Sequence, residues 1–198
     1  MKVKLKLHCL IQLLISALIL LGLIFNIRNS RLFNFYDHLL HHKLVKNRDG
    51  KIWKVITVLN EPKVIVVWDF LLAGLLVLFH HPWLALWSLG TLAVTDAVGI
   101  FLKHSVKRKR PLSMRTYRDG YSFPSGHVLS ATIMSLMLWQ IFGHIMGIWL
   151  LITLIIAWGL VVVSRLNMRA HYPSDVLGAT TLALFCFTIA QQLLGLAF

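Results

Sequence analysis

Long apolar runs broken by short polar clusters organise this chain. Runs near residues 8–27, 63–80, 83–103, 126–143, 146–164 and 174–197 each approach the ~20 apolar residues that a bilayer-spanning helix needs. They predict six membrane helices, and so an all-α integral membrane protein with one domain over residues 1–198. The links at 80–83 and 143–146 are too short for anything but antiparallel hairpins. His80-His81-Pro82 and Gly143-His144 mark those turns. Segment 28–62 is too polar to cross. Within it, Leu32, Phe33, Phe35, Leu39 and Leu40 fall mostly on one side of a helix, with Asp37, His38, His41 and His42 interleaved. The pattern fits a helix lying in the membrane interface between spans 1 and 2. It also fits an amphipathic helix packed on the domain by its apolar face. The first run follows Lys2, Lys4 and Lys6 and continues to Ile27 without a small-residue cleavage site, so it reads as an uncleaved membrane helix.

Composition agrees with a lipid solvent. The chain is 58% hydrophobic and 14% charged, with mean hydropathy +0.74, against roughly 45–50% and about 25% for soluble domains. A net charge of +13 implies an anionic partner. Nucleic acid fits poorly with so much bilayer-compatible sequence, whereas lipid headgroups and phosphates fit well. Cys9 and Cys186 each lie inside an apolar run and suggest no disulfide framework.

The cations are unevenly placed. Lys2, Lys4 and Lys6 fall on one side of the expected membrane, and the other 17 Lys and Arg fall on the opposite side. Counting charges alone would put that basic face in the cytoplasm. Some of its charges are needed for phosphate, however, and a leading helix usually dominates orientation. The basic face is therefore expected outside the cell membrane.

Three polar clusters share that face. The first runs from Lys103 to Arg110-Pro111. Arg offers a fork that matches phosphate oxygens, and Lys adds a mobile point charge. Pro111 is expected to stop the helix and direct Arg110. By itself such a loop could merely attract headgroups. The second cluster, Pro124-Ser125-Gly126-His127, opens span 4. Gly126 would let a phosphate approach the backbone, where free N–H groups favour an anion. Ser125 can donate to it or simply cap the helix, and His127 is placed to act as acid or base. The third cluster is Ser164-Arg165, then His171, then Asp175. One helical turn would put His171 and Asp175 on one face. The carboxylate could then fix the imidazole tautomer and free the other nitrogen to attack, although a plain salt bridge would share this spacing. Asp69 and Asp96 lie inside spans, and Asp96 is two turns below Lys103, where it could pair with or orient it.

Together the clusters resemble the signature of the type-2 phosphatidic acid phosphatase superfamily: Lys-x6-Arg-Pro, Pro-Ser-Gly-His and Ser-Arg-x5-His-x3-Asp. Lys103 to Arg110-Pro111, Pro124 to His127, and Ser164-Arg165 to His171 and Asp175 match every position. The resemblance implies a membrane lipid phosphatase with His171 as nucleophile, Asp175 orienting it, and His127 protonating the leaving oxygen. Lys103, Arg110, Ser125, Gly126 and Arg165 would hold the phosphoryl oxygens, with Pro111, Ser164 and Asp96 in support. No metal or cofactor is expected. Short bacterial members act on undecaprenyl pyrophosphate, which makes that lipid the first expected substrate. Phosphatidylglycerophosphate and phosphatidic acid come next, and transfer to another acceptor uses the same residues. Soluble haloperoxidases share the signature, but the continuous apolar runs argue against that branch. A non-catalytic protein that binds anionic lipid would need the charges, but not the two histidines and Asp175 at these spacings.

Overall fold

A computed structural model describes residues 7–44, 51–111 and 120–197. Lys2, Lys4 and Lys6, on which the orientation argument rests, lie outside them. The described chain forms seven helices: α1 (Leu7–Asn29), α2 (Arg31–Leu44), α3 (Lys51–Leu59), α4 (Pro62–Leu78), α5 (Pro82–Val106), α6 (Gly126–Asn167) and α7 (Pro173–Ala197). Proline opens α4, α5 and α7, where its missing N–H is no loss and its fixed φ suits the first turn. α1, α5, α6 and α7 are long and apolar enough to cross a membrane. α7 packs against α1, α5 and α6, and α4 packs on α5.

Polarity is distributed as in a protein dissolved in lipid. Large apolar side chains point outward, including Leu18, Leu21, Leu78 and Trp149. Small polar residues fill the interior, among them Ser88, Thr95, Ser130 and Thr188. Small side chains let helices approach closely. Their hydroxyls return to the backbone one turn earlier, as in Thr95 to the Thr91 carbonyl (2.7 Å) and Thr188 to the Leu184 carbonyl (2.8 Å).

α6 runs for 42 residues but is not one rod. Gly147 adopts φ 56°, ψ −144°, backbone that essentially only glycine tolerates. Trp158 Nε1 donates to Thr132 Oγ1 at 3.0 Å. In a straight helix those residues would stand roughly 39 Å apart. The two halves therefore fold back on each other, as the sequence suggests, but the reversal falls at Gly147 and not at Gly143-His144.

The polar segment after α1 contains two helices where one was expected. In α2, Asp37 and His41 are buried while Leu32, Phe35, Leu39 and Leu40 are exposed. A helix packed on a soluble domain would show the opposite polarity. α2 keeps its polar side against the protein and turns its oily side outward.

Candidate active site

His171 is the centre of the polar interior. It sits in the turn before α7 and is only 2% exposed. Its Nδ1 lies 2.8 Å from the Ser122 carbonyl oxygen. A carbonyl can only accept, so Nδ1 carries the proton. Nε2 lies 3.3 Å from Arg110 Nη1. A guanidinium can only donate, so Nε2 holds a lone pair and faces a cation. Both neighbours select the same tautomer, the one whose Nε2 can attack an electrophile.

Asp175 contributes differently from the sequence expectation. Its Oδ2 is 3.7 Å from His171 Nδ1, ion-pair range but too long for a hydrogen bond. His171 precedes the first turn of α7 and does not share a helical turn with Asp175, so the Ser122 carbonyl takes the hydrogen bond. Oδ2 instead accepts from the Tyr172 N–H at 2.8 Å. Burial pushes His171 down from its ordinary 6.5 to about 4. Asp175 pulls the other way, while Arg110 and Arg165 reinforce the depression. The imidazole is therefore neutral at neutral pH.

The cations collect around this histidine. Arg110 also donates to the Ala170 carbonyl at 3.0 Å. Arg165, buried in α6, donates through Nη1 to Thr57 Oγ1 of α3 at 3.2 Å. Lys103 interacts electrostatically with Arg110, Arg165, Asp175 and Asp96. A Cβ placed on Gly126 would come within 3.8 Å of Lys103 Nζ, so the lysine closes over the start of α6. That start is tied to the histidine turn by the Ser125 N–H, which donates to the Asp175 carbonyl at 3.2 Å. Ser125 does not cap α6 with its side chain. Its Oγ is buried and has no hydrogen-bond partner among the described residues, which suits an anion held there. His127 is the second residue of α6 and partly buried.

The supporting residues divide. Pro111 is buried but does not end α5, which stops at Val106 because Lys107 turns left-handed (φ 53°). Ser164 Oγ bonds Thr57 Oγ1 (2.8 Å) and the Trp53 carbonyl (3.4 Å), so it joins α6 to α3. Asp96 accepts from Ser130 Oγ at 2.9 Å. It lines a cavity of about 130 Å³ with Lys103 and Gly126, but among the described residues the Lys103–Asp96 salt bridge does not form. Asp69 is buried, with neither carboxylate oxygen hydrogen-bonded among the described residues.

Sequence reasoning missed Arg108. Its Nη1 reaches Asp175 Oδ1 at 2.8 Å and Ser174 Oγ at 2.6 Å. Its Nη2 reaches Asp37 Oδ2 at 2.7 Å and Asn34 Oδ1 at 3.1 Å. The guanidinium also lies 4.2 Å from the centre of the Tyr172 ring.

A family model described as the PAP2 superfamily matches residues 84–196, more than half of the 198 residues. The chain belongs to the PAP2 superfamily. The match takes in all three clusters of this PAP2 protein and leaves out α1 to α4. A crystal structure described as that of the first transmembrane PAP2 type phosphatidylglycerolphosphate phosphatase from Bacillus subtilis has the same fold. The TM-score is 0.83 at 21% identity, covering 94% of this PAP2 chain and 98% of the other. Among curated proteins none matches the sequence significantly.

Proposed function

We propose that this PAP2 chain is a membrane lipid phosphatase working through a phosphohistidine at His171. The observation that carries the reading is the tautomer of His171, with Nδ1–H held by the Ser122 carbonyl and the Nε2 lone pair turned toward Arg110. Nε2 attacks phosphorus, the bond to the leaving oxygen breaks, and His127 supplies that oxygen with a proton. Asp175 faces the positive charge that the ring acquires. Water, deprotonated by His127, then attacks the phosphohistidine, releasing phosphate and restoring His171. Lys103, Arg110, Arg165, Ser125 and the Gly126 N–H hold the phosphoryl oxygens. Phosphoryl transfer asks mainly for positioning and charge stabilisation. A cradle of cations supplies both and repels a divalent ion, which supports a metal-independent reaction.

The chain crosses the membrane six times in this reading, by α1, α4, α5, the two halves of α6, and α7. The substrate is a lipid phosphate or pyrophosphate whose tail stays in the bilayer, with the site on the extracytoplasmic face. Undecaprenyl pyrophosphate is the first candidate. Phosphatidylglycerophosphate is the second, supported by the activity named for the Bacillus subtilis protein of the same fold.

Phosphate release from a panel of purified lipid phosphates tests both class and substrate. His171→Ala should reduce release to background while leaving thermal unfolding and lipid binding unchanged, and undiminished turnover would remove the nucleophile. Activity should survive EDTA; loss that Mg²⁺ restores would contradict the metal-independent step.

A further inference from the structure

We propose that Arg108, anchored by Asp37 of α2, is a positioning residue that clamps Asp175 beside His171 and tempers its charge, making α2 part of the catalytic apparatus. The inference rests on the reading of His171 as nucleophile. Three charged side chains form a chain, Asp37–Arg108–Asp175, with contacts of 2.7 and 2.8 Å and side chains 6%, 8% and 0% exposed. Asp37 also accepts from the Ser174 N–H at 3.2 Å and makes a short contact with Ser174 Oγ. The residue preceding Asp175 is thereby fastened to α2.

Such a chain is more than packing requires. Buried charges are tolerated only when paired and fully hydrogen-bonded, and here the pairing ends at the histidine. Arg108 holds Oδ1 of Asp175 and the Tyr172 N–H holds Oδ2, so the carboxylate cannot swing. It stays 3.7 Å from Nδ1, able to face an imidazolium without competing with the Ser122 carbonyl. The same loop secures that carbonyl, because the Ser122 N–H donates to the Arg108 carbonyl at 2.8 Å. Without the guanidinium, an uncompensated Asp175 would draw a proton onto the ring and quench the nucleophile. Without Asp37, the guanidinium would act on the ring with less restraint.

The charged and titratable groups around His171 are Asp175, Arg110 and Arg165, with Lys103 beside Asp175. Asp37, His38, His41 and Arg169 form the next group, and Tyr172 lies against Arg108. Removing one positive or one negative member should move the ring in opposite directions.

The test is an NMR titration of ¹⁵N-histidine-labelled protein in detergent, with the His171 resonance identified by its loss in His171→Ala. Arg108→Gln should raise the His171 midpoint by roughly one pH unit, the effect of a nearby charge on a buried group. Asp37→Asn should lower it, the double variant should return toward wild type, and Arg108→Lys should stay close to wild type. Hydrolysis of dioctanoyl phosphatidic acid in micelles should lose kcat more than it gains KM in Arg108→Gln. If that variant does not fold, a lowered midpoint in Asp37→Asn beside an unchanged one in Arg108→Lys still tests the coupling. Identical midpoints in every folded variant, with only thermal stability reduced, would make the chain merely structural and overturn the proposal. Full activity in His171→Ala would defeat the phosphohistidine reading instead, and the midpoints would still decide the coupling.

Discussion

Replacing Gly178 with alanine should disable the site without touching a catalytic group. A Cβ on Gly178 would stand 2.2 Å from Phe123 Cε2 and 2.6 Å from Cζ. Ordinary carbon contacts are about 3.5–4.0 Å, so the ring must retreat by more than about 1 Å. It has nowhere to go. Phe123 is fully buried among Leu23, Ile27 and Val106, and a rigid ring cannot bend aside. Motion must pass to its backbone, where Ser122 holds His171 and Ser125 meets Asp175. Overpacking of this kind costs ~1–3 kcal/mol of stability. A misplacement of about 1 Å at a reacting group costs ~10²-fold in rate. We therefore expect Gly178→Ala to lower kcat by roughly 10–100-fold with a smaller change in KM. Phosphate release and thermal unfolding of the purified protein check this. Gly99→Ala is the control, because its Cβ meets the flexible end of Leu129 (Cδ2, 2.3 Å) and should leave kcat close to wild type. A smaller residue at position 123 should partly restore Gly178→Ala. Wild-type kcat in Gly178→Ala would refute the claim that Phe123 transmits its position to the histidine.

Other consequences are equally open to measurement. The acid limb of kcat/KM should fall near pH 4, because His171 protonates at about 4 and then has no lone pair. A pH series corrected for the substrate's second ionisation, near ~6, checks this, and a limb at an ordinary histidine value would refute it. The same depression makes the native state bind fewer protons than the unfolded chain. Its share of stability is complete above about 6.5 and is lost as pH falls from there to about 4, as denaturation midpoints across that window would report. Thr57→Val removes an acceptor from Arg165 and should lower kcat/KM about five-fold (~1 kcal/mol), mostly through KM, since the cation binds substrate and transition state alike. Unchanged kinetics there would separate α3 from the site.

What the sequence made legible follows from side-chain chemistry near in the chain. Apolar runs marked the long helices, His80-His81-Pro82 marked the turn between α4 and α5, and the residue types at the three clusters marked side chains that the fold gathers around His171. What it hid depended on backbone or on distant partners. The Ser122 carbonyl that fixes the tautomer has no side-chain signature, so Asp175 was credited with its hydrogen bond. Arg108 stands among Lys107, Lys109 and Arg110, and its distant partners Asp37 and Asp175, 71 and 67 residues away, explain why it turns inward. A reversal was legible near Gly143-His144, but that it falls at Gly147 shows only in the backbone φ. The oily pattern of α2 was visible, but which side faced the protein was not, because that depended on the partner of Asp37.

The reversal at Gly147 has a geometric corollary. Residues 126–146 and 148–167 make two legs of roughly 31 and 30 Å, each close to the ~30 Å of hydrocarbon in a bilayer. One leg carries His127 at its tip and the other carries Arg165. Adding a single residue to either leg would swing its tip by about 100° and lift it by about 1.5 Å. The greasy stretch therefore acts as a calliper whose opening sets the spacing of the jaws. Exchange of one lipid-facing side chain for another leaves that setting alone, whereas an insertion or deletion resets it.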